Sequence, residues 1–394
     1  MLNYLSAPLI YPVSAAPLAD GVLALEDDGT IAAVFSAWEA QEQGLEDIRR
    51  LEGALIPGLV NTHCHLELSH LKGKIPEGTG LQAFVQQVMK HRDTAPEQVL
   101  EAMQAADQQL FENGIVAVGD ISNIRISRDV KLGSKIYYHT FIEALGFDPR
   151  QAGAVMQRCR TLQQDFHPLK SSVVPHAPYS VSKELFQLIK IQAEAEGDLL
   201  SMHNQETLDE SLFFEKKAGA FLQLYERLGL DIGFFEASGK SSLQTVLPGL
   251  PDTKVLLVHN TLTAAADVEV ARLLRDQLYW CLCPNANLYI ENQLPDVGML
   301  MAKGLRLTLG TDSLASNHQL SILAEMEALS AHAAAGPTLD FQTMLPWATL
   351  NGAAFLGLEA QYGSLETGKR PGINQVTGLE NGRVVAGSSV KRLY

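Results

Sequence analysis

The sequence predicts an α/β protein: a (β/α)8 barrel of the TIM type, with a small β-sandwich built from both chain ends. Three observations carry this. Short apolar runs of strand length alternate with helical patterns through the middle of the chain, as in parallel α/β folds. Eight such runs can be counted, each followed by a helix or a loop. Polar residues of metal-binding type close several of the runs, and the carboxyl ends of the strands are where such barrels place their chemistry. An open doubly wound sheet is the main competitor, and no G-x-G-x-x-G turn supports it.

In chain order, residues 1–53 read as short strands and turns. Val22–Leu25 and Ile31–Phe35 flank Asp27-Asp28-Gly29, the mark of a hairpin with an Asp-Gly turn. The eight apolar runs are Leu55–His65, Ile115–Ile121, Lys135–Ile142, Ser171–His176, Leu199–His203, Lys254–His259, Leu278–Cys283 and Leu305–Asp312. Helical patterns cover Leu81–His91, Pro96–Asn113, Lys183–Glu196, Ala264–Leu274, Gln319–Ala335 and Thr338–Leu356. Pro96 near a helix start and Gly114 just past its end fit helix punctuation. Glu206 to Pro251 is a long insertion between the fifth and sixth strands, helical over Ser211–Leu228. An insertion at the catalytic face shapes or covers a pocket; the plainer alternative is a surface excursion. Gly363 to Pro371 is turn-rich, and Asn374–Thr377 and Arg383–Ala386 read as strands around an Asn-Gly turn at 381–382. Neither end is large enough for a core of its own. Residues 1–53 and 363–394 are therefore expected to pack as one sandwich beside a catalytic domain over 54–362.

Bulk properties bound the function. The chain has 394 residues, 46% hydrophobic and 19% charged, which fits a globular enzyme and not a disordered protein. A formal net charge of −15 argues against nucleic acid as the main partner, since phosphate binding needs clustered Lys and Arg. Four cysteines, Cys64, Cys159, Cys281 and Cys283, are too few for a disulfide scaffold and read as buried thiols in a reducing compartment. No apolar run approaches the ~20 residues that span a membrane. The opening MLNYLSAPLIYPVSAAPLADG lacks Lys and Arg and is broken by prolines, so it reads as strand and not as a signal peptide. A cytoplasmic protein acting on a small molecule is expected.

His63 and His65 close the first strand, His203 the fifth and Asp312 the eighth. In a strand, residues i and i+2 share a face, so His63 and His65 project together and Cys64 away from them. Three imidazoles and one carboxylate suit a borderline ion such as Zn²⁺. Glu206 follows His203 by three residues and can stand beside an ion as a proton shuttle, or serve as an acid in the first turn of the next helix. His259 closes the sixth strand; a buried, satisfied core histidine is its plainer reading. Asp312 can bind metal, take a proton, or cap a following helix.

Taken together, IPGLVNTHCH at 56–65, the His203/Glu206 pair, His259, GTDSLASN at 310–317 and GSLETGKRPG at 363–372 resemble the amidohydrolase superfamily over essentially the whole chain. PHAPYSVS at 175–182 is similar to a segment near the substrate in its deaminase branch, which handles adenosine-like nucleosides, triazines and guanine-type bases. CPNANL at 283–288 is similar to that branch's Cys-Pro-x-Ser-Asn stretch, with Ala286 in place of the Ser. The resemblance implies one divalent ion, Zn²⁺ or Fe²⁺, held by His63, His65, His203 and Asp312. Related two-metal hydrolases bridge their ions with a carboxylated Lys at the end of the fourth strand. Here that strand ends in Pro175-His176 and Lys170 precedes it, so a single ion follows.

The implied reaction is hydrolytic. An ion brings the pKa of bound water from ~15.7 towards ~7. Asp312 and His259 take the water proton, Glu206 protonates a ring nitrogen of the substrate, and ammonia leaves. His176 is expected to contact substrate, and Glu67 either to read it or to support the ligands from behind. The context HLELSHLKG resembles aminodeoxyfutalosine deaminases and methylthioadenosine/S-adenosylhomocysteine deaminases, which points to a 6-aminopurine nucleoside. Alternatives are a triazine- or guanine-type amidohydrolase or another cyclic amidine or amide hydrolase, a non-catalytic metal-binding paralogue, and a redox iron enzyme. A homodimer is an expectation from the resemblance alone.

Overall fold

The computed structural model describes residues 2–91, 94–332 and 339–394. Eight parallel strands form its centre: Leu59–Cys64 (β1), Ile115–Ser122 (β2), Tyr137–Ala144 (β3), Lys170–Pro175 (β4), Leu200–Asn204 (β5), Val255–His259 (β6), Leu278–Leu282 (β7) and Leu307–Leu309 (β8). They pair as two four-stranded sheets, β1-β2-β3-β4 and β5-β6-β7-β8. The two sheets meet at both seams. At one, His203 N donates to His176 O at 2.9 Å. At the other, Thr311 N and Asp312 N both donate to His63 O at 3.1 Å, and Cys64 bridges Asp312 in parallel. Almost every strand residue is buried, as continuous apolar strands covered on both faces require. Helices such as Pro96–Glu112, Ala152–Asp165 and Lys183–Glu196 cover the outside, with Met103, Leu110, Phe166 and Leu185 packed into the main core.

The strand expected over Leu55–His65 is two. Ala54–Pro57 belongs to a different sheet from β1. Pro57 has no N–H to continue a ladder, and Gly58 crosses the chain end closely. Its N donates to Pro371 O and Gly372 O at 3.1 Å, and a Cβ there would lie 2.5 Å from Pro371 O and overlap Val116. Only glycine fits. Ala54–Pro57 sits in a five-stranded sheet ordered Ser389–Arg392, Ile373–Thr377, Ala54–Pro57, Leu9–Ile10, Leu18–Ala19. A four-stranded sheet of Ile31–Phe35, Val22–Leu25, Asn3–Ser6 and Arg49–Arg50 packs on it through one cluster containing Leu5, Leu23, Ile31, Ile10, Leu55 and Ile373.

The N-terminal hairpin lies where the Asp-Gly turn placed it. The C-terminal one differs. Asn381 and Gly382 do take left-handed φ of 50° and 73°, but they join only a one-pair bridge between Glu380 and Arg383. The strand that pairs with Ile373–Thr377 is Ser389–Arg392, not Arg383–Ala386. Two expected helices also divide. Thr338–Leu356 is Phe341–Ala348 and Leu350–Leu356, split after Pro346 where Thr349 leaves helical angles (φ −140°, ψ −86°); Thr338 lies outside the described residues. Gln319–Ala335 is helical over Ile322–His332, and residues 333–335 lie outside the described residues.

The insertion after β5 is structured. Helices Leu208–Lys216 and Phe221–Arg227 replace the single one expected over Ser211–Leu228, because Lys217 and Gly219 turn left-handed between them (φ 49° and 92°). Phe213, Phe214, Phe221 and Tyr225 form an apolar cluster with Phe147, Tyr179 and Ala315. These last three follow β3, β4 and β8. The insertion is thus packed over the loops at the carboxyl ends of the strands. Among the described residues no helix is long and apolar enough to cross a membrane.

Candidate active site

His63, His65, His203 and Asp312 arrive from β1, the residue after β1, β5 and the turn after β8, and they meet. His65 Nε2 lies 3.1 Å from His63 Nε2 and 3.3 Å from His203 Nε2. Asp312 Oδ1 lies 3.5 Å from His65 Nε2 and 3.8 Å from His63 Nε2. All four residues are buried. Burial, followed by the crowding of neighbouring rings, brings His65 and His203 to a pKa of about 3 and His63 well below its ordinary value. The rings are therefore neutral at pH 7. Neutral rings whose lone pairs converge repel one another, and a shared cation removes the conflict. The spacing fits: ligands at about 2.0–2.1 Å around a tetrahedral ion are about 3.3–3.4 Å apart. His203 Nδ1 bonds to His176 O at 2.8 Å, so the proton sits on Nδ1 and the Nε2 lone pair faces the cluster.

The strand ends are held in place by specific bonds. Asn61 reaches from β1 to the β8 turn: its Nδ2 donates to Thr311 Oγ1 at 2.8 Å and its Oδ1 accepts from Thr311 N at 3.2 Å. Asp312 has φ of 54°, and its Oδ2 accepts from Ser316 Oγ at 2.7 Å. The next helix begins only at Ile322, so Asp312 is not its cap. After His65, Leu66 N donates to Asp120 Oδ1 at 2.8 Å. Asp120 is itself paired with the fully buried Lys131 at 2.6 Å.

Glu206 and His259 sit together beside this cluster. Glu206 Oε1 is 3.7 Å from His259 Nε2. His259 Nδ1 faces Asn287 Oδ1 at 2.8 Å, an oxygen that only accepts, so Nδ1 carries the proton and Nε2 is left as an acceptor. Burial raises the Glu206 carboxyl to about 7. Glu206 precedes Thr207, the N-cap of helix Leu208–Lys216, whose first-turn acids are Asp209 and Glu210. Glu210 instead positions Glu206, its two oxygens accepting from Gln205 N and Glu206 N at 3.0 and 3.2 Å.

The remaining two expected site residues differ from each other. His176 is partly exposed at the end of β4. Its Nδ1 meets Ser180 Oγ at 2.6 Å, and its ring is 4.9 Å from that of His203. Glu67 is taken up by the backbone: its oxygens accept from Asn123 N at 2.9 Å and Ile124 N at 3.3 Å. Burial raises its carboxyl to about 8.

Three groups at the site were not foreseen. Asn287 lies in the quoted CPNANL stretch, in helix Pro284–Glu291, but nothing in the sequence ties it to His259, 28 residues earlier. Glu143 lies one residue past the expected end of the third strand, with Oε1 3.7 Å from His203 Nδ1. Glu325, on helix Ile322–His332, accepts from Asn317 Nδ2 at 2.8 Å and Asn285 N at 2.9 Å, joining the GTDSLASN and CPNANL segments.

Comparison with known proteins shows which family the chain matches. A profile of the amidohydrolase family matches residues 54–389. An adenosine deaminase of Helicobacter pylori is 29% identical over 324 residues, 80% of this chain and 77% of that one. A 5-methylthioadenosine/S-adenosylhomocysteine deaminase of Bacillus cytotoxicus is 25% identical over 370 residues, 89% of this chain and 79% of that one. Among solved structures, Helicobacter pylori aminofutalosine deaminase in complex with methylthio-coformycin superposes with a TM-score of 0.83. It covers 96% of this chain and 93% of that one at 24% identity, a likeness of fold.

Proposed function

The chain belongs to the amidohydrolase family, and from that premise we propose that it is a hydrolytic deaminase of a 6-aminopurine nucleoside using one divalent ion, most readily Zn²⁺. His63, His65, His203 and Asp312 would hold the ion. Bound there, it would supply Lewis-acid activation of water near neutral pH. The observation that carries the reading is the Glu206/His259 pair beside that cluster. It combines a carboxyl still half protonated near pH 7 with an imidazole whose Nε2 is a free acceptor.

The two groups then divide the proton work. His259 Nε2 and Asp312 Oδ1 accept the proton of the attacking water. Glu206, protonated, donates to the purine ring nitrogen next to the carbon that bears the amine, and so makes that carbon more electrophilic. The water oxygen bonds to that carbon, the proton taken from water passes on to the amine, the C–N bond breaks and ammonia departs, and the remaining hydroxyl proton returns to Glu206 as the ring carbonyl forms. Asn287 keeps His259 in the required tautomer, and Glu210 keeps Glu206 aimed. His176, partly exposed beside His203, is assigned to substrate contact. The backbone bonds of Glu67 support a role in holding the loop after β2 and do not favour reading the substrate.

We further propose that the eight parallel strands close into one (β/α)8 barrel over 58–362, the first four residues of the expected 54–362 belonging to the other sheet. Residues 1–53 and 363–394, joined by Ala54–Pro57, would form one terminal sandwich. The bonds at both seams and the shared apolar cluster of the two small sheets support this. Four buried, unpaired cysteines support a reducing, cytoplasmic setting.

The test is ammonia release from adenosine, 5′-methylthioadenosine, S-adenosylhomocysteine and an adenosine carrying an aryl ketone at the 5′ position, with guanine and an aminotriazine as controls. Ammonia from the purine nucleosides and none from the controls is expected. Turnover of the triazine or guanine alone would overturn the substrate class while leaving the hydrolase.

A further inference from the structure

Glu143 lies near the carboxyl end of β3 and is 7% exposed. One of its oxygens is fixed: Oε2 accepts from Asn123 Nδ2 at 3.1 Å, and Asn123 is held in turn through its N by Glu67. The other, Oε1, is shielded from solvent and accepts no hydrogen bond among the described residues. It stands 3.7 Å from His203 Nδ1 and 4.0 Å from His176 Nε2. A buried carboxylate oxygen without a donor carries an uncompensated desolvation cost. The fold does nothing visible to relieve it.

We propose that Glu143 is a positioning residue whose carboxylate is the counter-charge behind His203, making that imidazole a stronger donor to the divalent ion. This rests on the assignment of His203 as a ligand made above. The Nδ1 proton of His203 is already placed by His176 O, which leaves Oε1 to act through its field and not through a bond of its own. When Nε2 gives electron density to a cation, positive charge spreads over the ring towards Nδ1–H, on the side where Oε1 stands. Little water intervenes to screen it, since the His203 and Glu143 side chains are 9% and 5% exposed. Facing Glu143 are the titratable imidazoles of His203 and His176 and the carboxylate of Asp312; burial is the largest cause raising the Glu143 carboxyl, and the like charge of Asp312 adds to it. The chain Glu67–Asn123–Glu143 also links the segment after His65 to the carboxylate that stands behind His203.

The test uses the full chain with Zn²⁺ alone as probe, titrated against a chromogenic chelator, without substrate. Glu143→Gln keeps size and removes charge. Partners behind ligating imidazoles account for about 10–100-fold in metal affinity, and a loss in that range is expected. The metal-free variant should melt at or above the wild-type temperature, because the uncompensated charge is gone. Glu143→Asp, which keeps the charge at slightly longer range, should fall between the two. A metal-free Glu143→Gln protein that melts below wild type or fails to fold makes Glu143 a structural brace and overturns the assignment. So does Zn²⁺ affinity within about twofold of wild type, or Glu143→Asp losing as much as Glu143→Gln. If wild type itself binds no Zn²⁺, the ligand assignment of His203 fails first; tight wild-type binding with an unchanged Glu143→Gln sinks this inference alone.

Discussion

Replacing Glu206 with Gln exchanges one oxygen for an amide nitrogen and removes one ability, that of carrying a proton across neutral pH. The structure sets the size of the effect. Burial is the largest cause raising the Glu206 carboxyl, to about 7. The sign follows: the protonated form persists to neutrality and is lost as pH rises through that value. About nine-tenths of the chains are protonated at pH 6 and about one-tenth at pH 8. If Glu206 donates the proton to the purine, kcat/KM should fall at least about tenfold between those two pH values. A cation held by the neighbouring histidines favours the carboxylate, so in the loaded enzyme this limb shifts towards lower pH. Glu206→Gln has no proton to give at any pH, and loss of a positioned general acid costs about 10²–10⁴-fold in rate. The four proposed ligands do not include Glu206, so metal content should stay at one ion per chain. Ammonia release at pH 6, 7 and 8, with metal analysis by mass spectrometry on the same samples, reads all three quantities. Turnover of Glu206→Gln within tenfold of wild type would refute the proton-donor role. The same alkaline limb persisting in the variant would assign it to another group.

Further variants separate the ligands from their supports. His63→Ala should lose bound metal and activity together, since it removes one of four donors; metal retained at one equivalent contradicts the ligand set. Asn287→Leu should keep the metal but lower kcat by about 10–100-fold, the usual cost of releasing a functional imidazole from its orienting partner, and an unchanged kcat would leave His259 without a role for its tautomer. Lys131→Met should strand Asp120 as an unpaired buried charge and cost about 3–5 kcal/mol in urea unfolding. The double variant Asp120→Leu/Lys131→Met should recover much of that loss; a double variant less stable than the single one would refute the pairing argument.

How much of this could be read from residues alone depends on the distance over which each contact is made. The convergence of His63, His65, His203 and Asp312 was legible because it rests on two short-range rules. Alternation along β1 puts His63 and His65 on one face, and apolar runs of strand length end at His203 and Asp312. The break at Pro57-Gly58 was half legible: the pair marked a sharp entry into a strand, but only the packing of Val116 and Pro371 around Gly58 explains why one strand became two in different sheets. Asn287 and Glu143 were not legible. Their partners lie 28 and 60 residues away, and they meet only because neighbouring strands are in register and β5 meets β4 where His203 N bonds to His176 O.

The same limit applies to the backbone that aims these side chains. Gln205, His259, Asn260 and Asp312 all have positive φ, between 46° and 74°. For Gln205 and His259 such conformations cost about 1–3 kcal/mol each; Asn260 and Asp312 are of the types that tolerate them better, but that tolerance alone does not say where they occur. Each lies at the carboxyl end of β5, β6 or β8, and each is clamped from elsewhere in the chain. Gln205 is held by Glu210 and Asp267. Asn260 is held by Asn204, Leu257 and Cys281, and Asp312 by His63 O and Ser316. With these turns Asp312 Oδ1 stands 3.5 and 3.8 Å from the Nε2 atoms of His65 and His63, and the His259 ring 5.9 Å from that of His63. The clamps are therefore as much a part of the site as the ligands. Removing the Glu210 carboxylate frees the N–H groups of both Gln205 and Glu206, and Glu210→Ala should lower ammonia release while the bound metal, read by mass spectrometry, stays at one ion per chain.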